Sequence, residues 1–139
     1  WQRAINGVVN FLMTKPKAYL ICPNPDLFFP GDGETIVIAS GGVTQFIVDI
    51  CLANGIEISP VYLGKPHPAL FEFSHQRLQK RIRRTLRKSR TVMVGDMLSG
   101  DIKGANDFGY VSALMLTGGT NRGILSQSDI LPDLAFEKM

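Results

Sequence analysis

Arg90-Thr-Val-Met-Val-Gly-Asp-Met-Leu-Ser-Gly-Asp-Ile-Lys-Gly-Ala-Asn-Asp-Phe-Gly-Tyr110 decides how the rest of this chain is read. Thr91 to Val94 form the short apolar run expected of a fully buried strand. Gly95-Asp96 follow at its C-terminal end, where an open α/β sheet places its ligands. Asp96 is therefore expected in a crevice, not in the core. Beyond it Ile102, Ala105 and Phe108 repeat at helical spacing; Ser99 is placed to cap that helix and Gly109 to end it. Asp101 brings a second carboxylate into the first turn, five residues after Asp96. Two acids beside a strand end suit a hard cation such as Mg²⁺, which typically takes one or two carboxylates plus substrate phosphate. A plain turn followed by a helix-start charge fits the same residues, and spacing alone does not choose between the two.

Downstream, Val111 to Leu116 make the next strand, and Thr117-Gly-Gly-Thr-Asn121 leaves it on the same strand-end face. A short helix from Asn121 to Leu125 and an edge strand over Leu134 to Phe136 follow. Upstream, Val61-Tyr-Leu63 is a short strand, then Gly64-Lys65-Pro66-His67-Pro68 leads into a helix from Ala69. Lys65 ends a strand and would point into the same crevice. A lone ammonium there is either a point charge suited to phosphate or a solvated surface lysine. Phe71, His75, Leu78, Ile82 and Leu86 fall on one helical stripe, with His75 read as a packing histidine. The β-α-β-α order after residue 60 implies parallel strands with right-handed crossovers, an α/β fold.

The first half is read more coarsely. Ala4 to Met13 suit a helix broken before Pro16, and Lys17 to Cys22 a buried strand. Pro23-Asn24-Pro25-Asp26 must be a turn, since two prolines forbid helix and ladder. Leu27 to Pro30 reads as an apolar loop. Gly31 to Thr35 is a turn that resembles the end of a phosphatase nucleophile loop, but Pro30 stands where that loop needs an aspartate. Ser40-Gly41-Gly42 precedes a helix over Val43 to Ala53 and is either a tight turn or an anion cradle. A composition shift near Ile58 to Pro60 divides the chain into 1–59 and 60–139.

Composition narrows the classes. The chain has 139 residues and is 45% hydrophobic, enough for a packed core. Cys22 and Cys51 lack motif spacing, so this is no disulfide scaffold. No run approaches the length of a membrane span and no signal-peptide pattern is present, so a cytoplasmic protein without a membrane partner is expected. The net charge of +3 is local: residues 80–90 hold seven of the fifteen Lys and Arg, and eight basic against twelve acidic residues leave the remainder at −4. That run could attract nucleic-acid phosphate. Ile82 and Leu86 on the apolar stripe, and the lack of interleaved aromatics, favour a solvated helix face and loop instead.

Several pieces then agree. Asn24-Pro-Asp26, Tyr62-Leu-Gly-Lys-Pro-His-Pro-Ala-Leu-Phe71, Val94-Gly-Asp-Met-Leu-Ser-Gly-Asp-Ile-Lys-Gly-Ala105 and Leu116-Thr-Gly-Gly-Thr120 resemble the haloacid dehalogenase (HAD) superfamily of phosphatases. The match is to the NagD-like, 4-nitrophenylphosphatase-type branch (subfamily IIA), over about residues 17 to 136. The resemblance implies a Rossmann-like core whose C-terminal half is 60–139, with 1–59 the distal half of an α/β cap. It implies a Mg²⁺-dependent phosphatase that works through an aspartyl-phosphate on a small phosphorylated metabolite. It makes Lys65 the catalytic lysine, Asp96 the metal carboxylate and Asp101 an orienting acid; Asn24 and Asp26 match a cap loop bearing on substrate choice. NagD-like proteins often pair through their caps, so a homodimer of that kind is an expectation to test.

One departure matters: the family's Asp-x-Asp nucleophile motif is absent from all 139 residues. The chain is therefore expected to be a fragment, inactive alone, with an open sheet edge, belonging to an active parent. The alternatives are a non-catalytic HAD-derived binding or partner module and, ranked lower, nucleic-acid binding through residues 80–90.

Overall fold

Strands alternate with helices through a mixed α/β structure, a computed structural model that describes residues 1–15 and 17–137. The chain divides into two compact units, Trp1–Gly64 and Lys65–Met139.

In the first unit, α1 (Gln2–Thr14) and α2 (Ser40–Ala53) pack through one shared stripe. Ile5, Val9 and Leu12 of α1 meet Ile47 and Cys51 of α2, with Ile58 closing the cluster. Spacings of three and four residues put each set on one helix face. Pro16, expected to break α1, lies outside the described residues. Strand β1 (Ile21–Cys22) is shorter than the run that suggested it and pairs in parallel with β4 (Val61–Tyr62). That pairing carries the first unit to Gly64, five residues past the compositional shift.

Two readings of this unit change. Phe28–Pro30 is not a loop but strand β2, antiparallel to β3 (Ile36–Ile38), with the Gly31–Thr35 turn between them. Apolar and β-branched residues on both sides of a turn give a hairpin; the prolines and glycines around them hid it. Ser40-Gly41-Gly42 is not a loop either, because α2 begins at Ser40. A Cβ on Gly42 would come within 2.5 Å of the Leu27 carbonyl oxygen, and one on Gly41 would overlap Pro25 and Asp26 backbone. The two glycines let the helix start pack directly on the 25–27 segment.

The second unit holds a parallel sheet in the order β5 (Val92–Gly95), β6 (Val111–Met115), β7 (Leu134–Phe136). Val92 stands opposite Val111, Gly95 opposite Leu114, and Ala113 opposite Leu134. Central β6 buries Ser112, Ala113 and Leu114, as a strand covered on both faces should. Among the described residues β5 is an edge, with Val92 and Val94 about half exposed. Helix α3 (Pro68–Ile82) opens with Pro68, whose missing N–H costs nothing in the first turn. It buries Phe71 and His75 against Phe108 and Tyr110. Gly104 is needed there: a Cβ on it would sit 2.5 Å from the Phe71 ring. Helix α4 (Lys103–Phe108) ends at Gly109, whose φ of 86° is the left-handed cap expected of that residue. Helix α5 (Arg122–Ser126) is capped by Asn121, which accepts from the Ile124 amide at 3.0 Å.

Candidate functional site

Asp96 follows the last residue of β5, so its side chain emerges at the carboxyl end of the sheet. The chain then passes through a single wide turn, Leu98–Ile102, before α4 begins. Asp101 sits in that turn, 2% exposed, and its carboxylate organises what surrounds it. Oδ2 accepts the backbone amides of Asp96 and Met97, each at 3.1 Å. Oδ1 accepts from Lys65 Nζ in a close ion pair. Ser99, expected to cap the helix, makes no capping hydrogen bond. Asp101 meets the need instead, because its carboxylate reaches back to the two amides that would otherwise go unpaired.

Asp96 is held from a second side. The Gly119 amide donates to its Oδ2 at 2.6 Å. A Cβ on Gly118 would overlap the Asp96 carboxylate, and a Cβ on Gly95 would overlap that of Asp101. These glycines are required by close approach of backbone to carboxylate. The 117–120 loop was visible in the sequence as a strand-end loop; its amide contact with Asp96 was not, since any residue presents an N–H.

The structure thus brings Lys65, Asp96 and Asp101 together within the second unit, from segments 65, 96 and 101 of the chain. Asn24 and Asp26 are exposed and belong to the first unit. The Asn24 side chain accepts from the Asp26 amide at 3.1 Å, an Asx turn that shapes the loop. Ser40 Oγ and Cys22 Sγ both donate to the Asn24 carbonyl. Buried His75 bonds through Nδ1 to Tyr110 Oη at 2.9 Å, the packing role read from its stripe. Burial raises the Tyr110 phenol above its usual value of 10.0.

The donor set can be tested against a metal ion. Asp101 spends both oxygens on an ammonium and two amides, so it fits a positioning role and not a ligand's. Asp96 engages Oδ2 with the Gly119 amide, which leaves its other oxygen for a cation. Among the described residues no group of three or more His, Cys, Asp or Glu gathers at one point. One carboxylate fits an ion such as Mg²⁺, which keeps several waters and completes its shell from substrate phosphate and other ligands.

The family model for HAD-hydrolase-like proteins matches residues 62–139, which include this whole arrangement. The chain belongs to the HAD-hydrolase-like family. A dihydroxyacetone phosphatase of Corynebacterium glutamicum (strain R) is 30% identical to it over 115 residues, 83% of this chain and 37% of that protein. A "possible sugar phosphatase" of the HAD superfamily from Cytophaga hutchinsonii superposes with a TM-score of 0.78 at 32% identity, over 99% of this chain and 47% of its own. The 4-nitrophenylphosphatase of Thermotoga maritima gives a TM-score of 0.76 at 26% identity, over 96% of this chain and 46% of its own. This HAD chain therefore spans less than half the length of these relatives. Among its described residues no helix is long and apolar enough to cross a membrane.

Proposed function

We propose that this HAD chain is the lysine- and carboxylate-bearing part of a Mg²⁺-dependent phosphomonoester phosphatase. The observation that carries the reading is the Lys65–Asp101–Asp96 arrangement at the carboxyl end of a parallel sheet. The phosphatase relatives support the reaction class, and their greater length agrees with an attacking aspartate supplied from outside these 139 residues. In this account unit Lys65–Met139 is the C-terminal half of the core, and unit Trp1–Gly64 the distal half of a cap.

Lys65 would neutralise charge on the oxygens of the transferring phosphoryl group. Asp101, by pairing with it, holds the ammonium in place and aimed. Asp96 would hold the metal, fixed in place by the Gly119 amide. Bound Mg²⁺ would polarise the phosphoryl oxygens and orient the group for in-line attack. An aspartate would attack phosphorus as the ester P–O bond breaks and the alcohol leaves, protonated by an acid of the site, to give an aspartyl-phosphate; water would then attack that phosphorus, releasing inorganic phosphate and freeing the carboxylate. Asn24 and Asp26 would bear on the choice of a small phosphorylated metabolite, and pairing of two copies through the cap is part of the same proposal.

Hydrolysis of 4-nitrophenyl phosphate with Mg²⁺ tests this. The natural protein that carries this segment should turn the substrate over, and Asp96→Asn should cut kcat/KM by about a hundredfold or more, the scale of losing one transition-state electrostatic contact. Undiminished turnover in Asp96→Asn would overturn the assignment. The 139-residue chain, its mass verified, should release no phosphate; turnover by it would place a nucleophile within these residues.

A further inference from the structure

We infer that the outer face of α3 and the loop after it form a docking surface for single-stranded nucleic acid, independent of the phosphatase site. Residues 80–90 are the exposed end of α3 and a loop, the form read from the sequence, and two features of that surface favour a nucleic-acid occupant. Leu86 does not continue an apolar stripe, because α3 stops at Ile82 and Arg83 turns left-handed with φ 53°. Aromatic surface is present too: Phe73 is 63% exposed. Residues 70, 73, 77, 80 and 81 recur at three- and four-residue steps on the side of α3 opposite Phe71 and His75. A shallow groove there is lined by Phe73, Ser74, Arg77, Leu78, Lys80 and Arg81, with the Arg77 guanidinium over the Phe73 ring at 5.9 Å.

All seven basic residues of 80–90 are exposed. The ion pairs among the described residues are Lys65–Asp101, Lys103–Asp107 and Arg122–Glu137, so none of the seven is neutralised that way. Lys88 lies over the Phe108 ring at 3.5 Å. The loop is pinned: the Leu86 amide donates to Gln79 Oε1 at 2.9 Å, and Thr91 Oγ1 to the Arg87 carbonyl at 3.2 Å. A fixed cationic track loses less freedom on binding than a mobile one.

The chemistry selects the occupant. Five of the seven cations are arginines, whose planar forks pair with phosphate in two-point fashion. The exposed Phe73 ring beside them, with Arg77 over one face, offers a base a stacking platform on the other. An anionic lipid surface would want a broad apolar face beside the charges. On α3 Phe71 and His75 are buried inside the unit, and the exposed apolar residues Leu70, Phe73, Leu78 and Ile82 are interrupted by Arg77, Lys80 and Arg81, so they form no separate apolar face.

The experiment is fluorescence polarisation of a labelled single-stranded RNA of about 16 nucleotides with the full chain, between about 50 and about 200 mM salt. Contact with about five to seven phosphates gives a log–log salt slope of roughly −3.5 to −5, so affinity should fall about a hundredfold or more. Replacing Arg81, Arg84 and Arg87 together by Gln should flatten the slope by about 2. Phe73→Ala should weaken binding to the single strand by about tenfold and leave a duplex of equal length little changed. Gln at Arg3, Lys15 and Lys17, a charge-matched control in the other unit, should leave binding intact. Circular dichroism melts check that each variant is folded. Absence of binding at low salt overturns the inference, as does equal loss in the control. Equally tight binding of polyglutamate, or binding to phosphatidylserine vesicles without binding to RNA, overturns it in favour of another anionic partner.

Discussion

Lys65 and Asp101, 36 positions apart in the sequence, form an ion pair in which the aspartate side chain is buried and the lysine side chain is 41% exposed. The same carboxylate caps the amides of Asp96 and Met97, so a single buried side chain ties the lysine to the strand end. Asp101→Asn turns an amide group toward Lys65 and removes the charge behind the amide bonds. It should cost about 2–4 kcal/mol in stability, since hydrogen bonds to charged groups carry the larger share of such losses. Thermal melting should show a fall of roughly 10 °C or more for a unit of this size. An unchanged melt would mean that the pair does not organise the turn.

Gly118 sets the room left for Asp96. Its residue is exposed, yet a Cβ there would overlap the Asp96 carboxylate. Gly118→Ala forces the Asp96 side chain aside and should cost about 1–3 kcal/mol in stability, the scale of an overpacked contact. It should weaken Mg²⁺ binding about tenfold, a loss of about 1.4 kcal/mol. Calorimetric titration of the metal checks this. Equal affinities would show that the 117–120 loop does not set the position of Asp96.

How far the sequence could be read follows from which interactions leave a pattern. The parallel strands, the helix over Ile102 to Phe108, Gly109 as its stop and the short helix after Asn121 all came from apolar spacing and backbone-special residues, and all are present. The hairpin β2–β3 escaped because Pro30 and the glycines of the turn resemble loop composition more than strand. Ser99 misled as a cap because its hydroxyl is the usual choice, whereas Asp101 reaches the same amides from inside the turn. Lys65 and Asp96 were legible as charges facing one strand-end crevice, and Asp101 as a charge in the first turn of the helix that follows. The Lys65–Asp101 ion pair depends on how the wide turn folds back, which residue spacing does not encode. The Gly119 amide contact had no signal at all, because backbone donors carry no residue identity.

Phe71 tests the core beneath the site. It is 3% exposed, and its ring packs on Phe108 at 5.7 Å and on Tyr110 at 6.2 Å. Phe71→Ala should cost about 3–5 kcal/mol, the usual range for emptying a buried aromatic position. Denaturant unfolding checks this, and a cost under about 1 kcal/mol would mean that the site collapses to fill the space.

Tyr110 gives a pH dependence with a definite sign. Burial raises its phenol above 10.0, so the folded state keeps a proton that the unfolded state has begun to release. Stability is full below about pH 10 and falls as pH rises through the folded value. Tyr110→Phe removes this slope while costing about 1 kcal/mol for the lost His75 bond. Parallel stability curves for the two proteins above pH 10 would contradict the shift.

The most direct test of the half-site is amide NMR of the ¹⁵N-labelled chain titrated with Mg²⁺. Shifts should concentrate at Gly95, Asp96, Met97, Gly118 and Gly119, and should vanish in Asp96→Asn. Shifts that scatter over other acidic residues, or that persist in Asp96→Asn, would contradict the placement of the metal carboxylate and the account built on it.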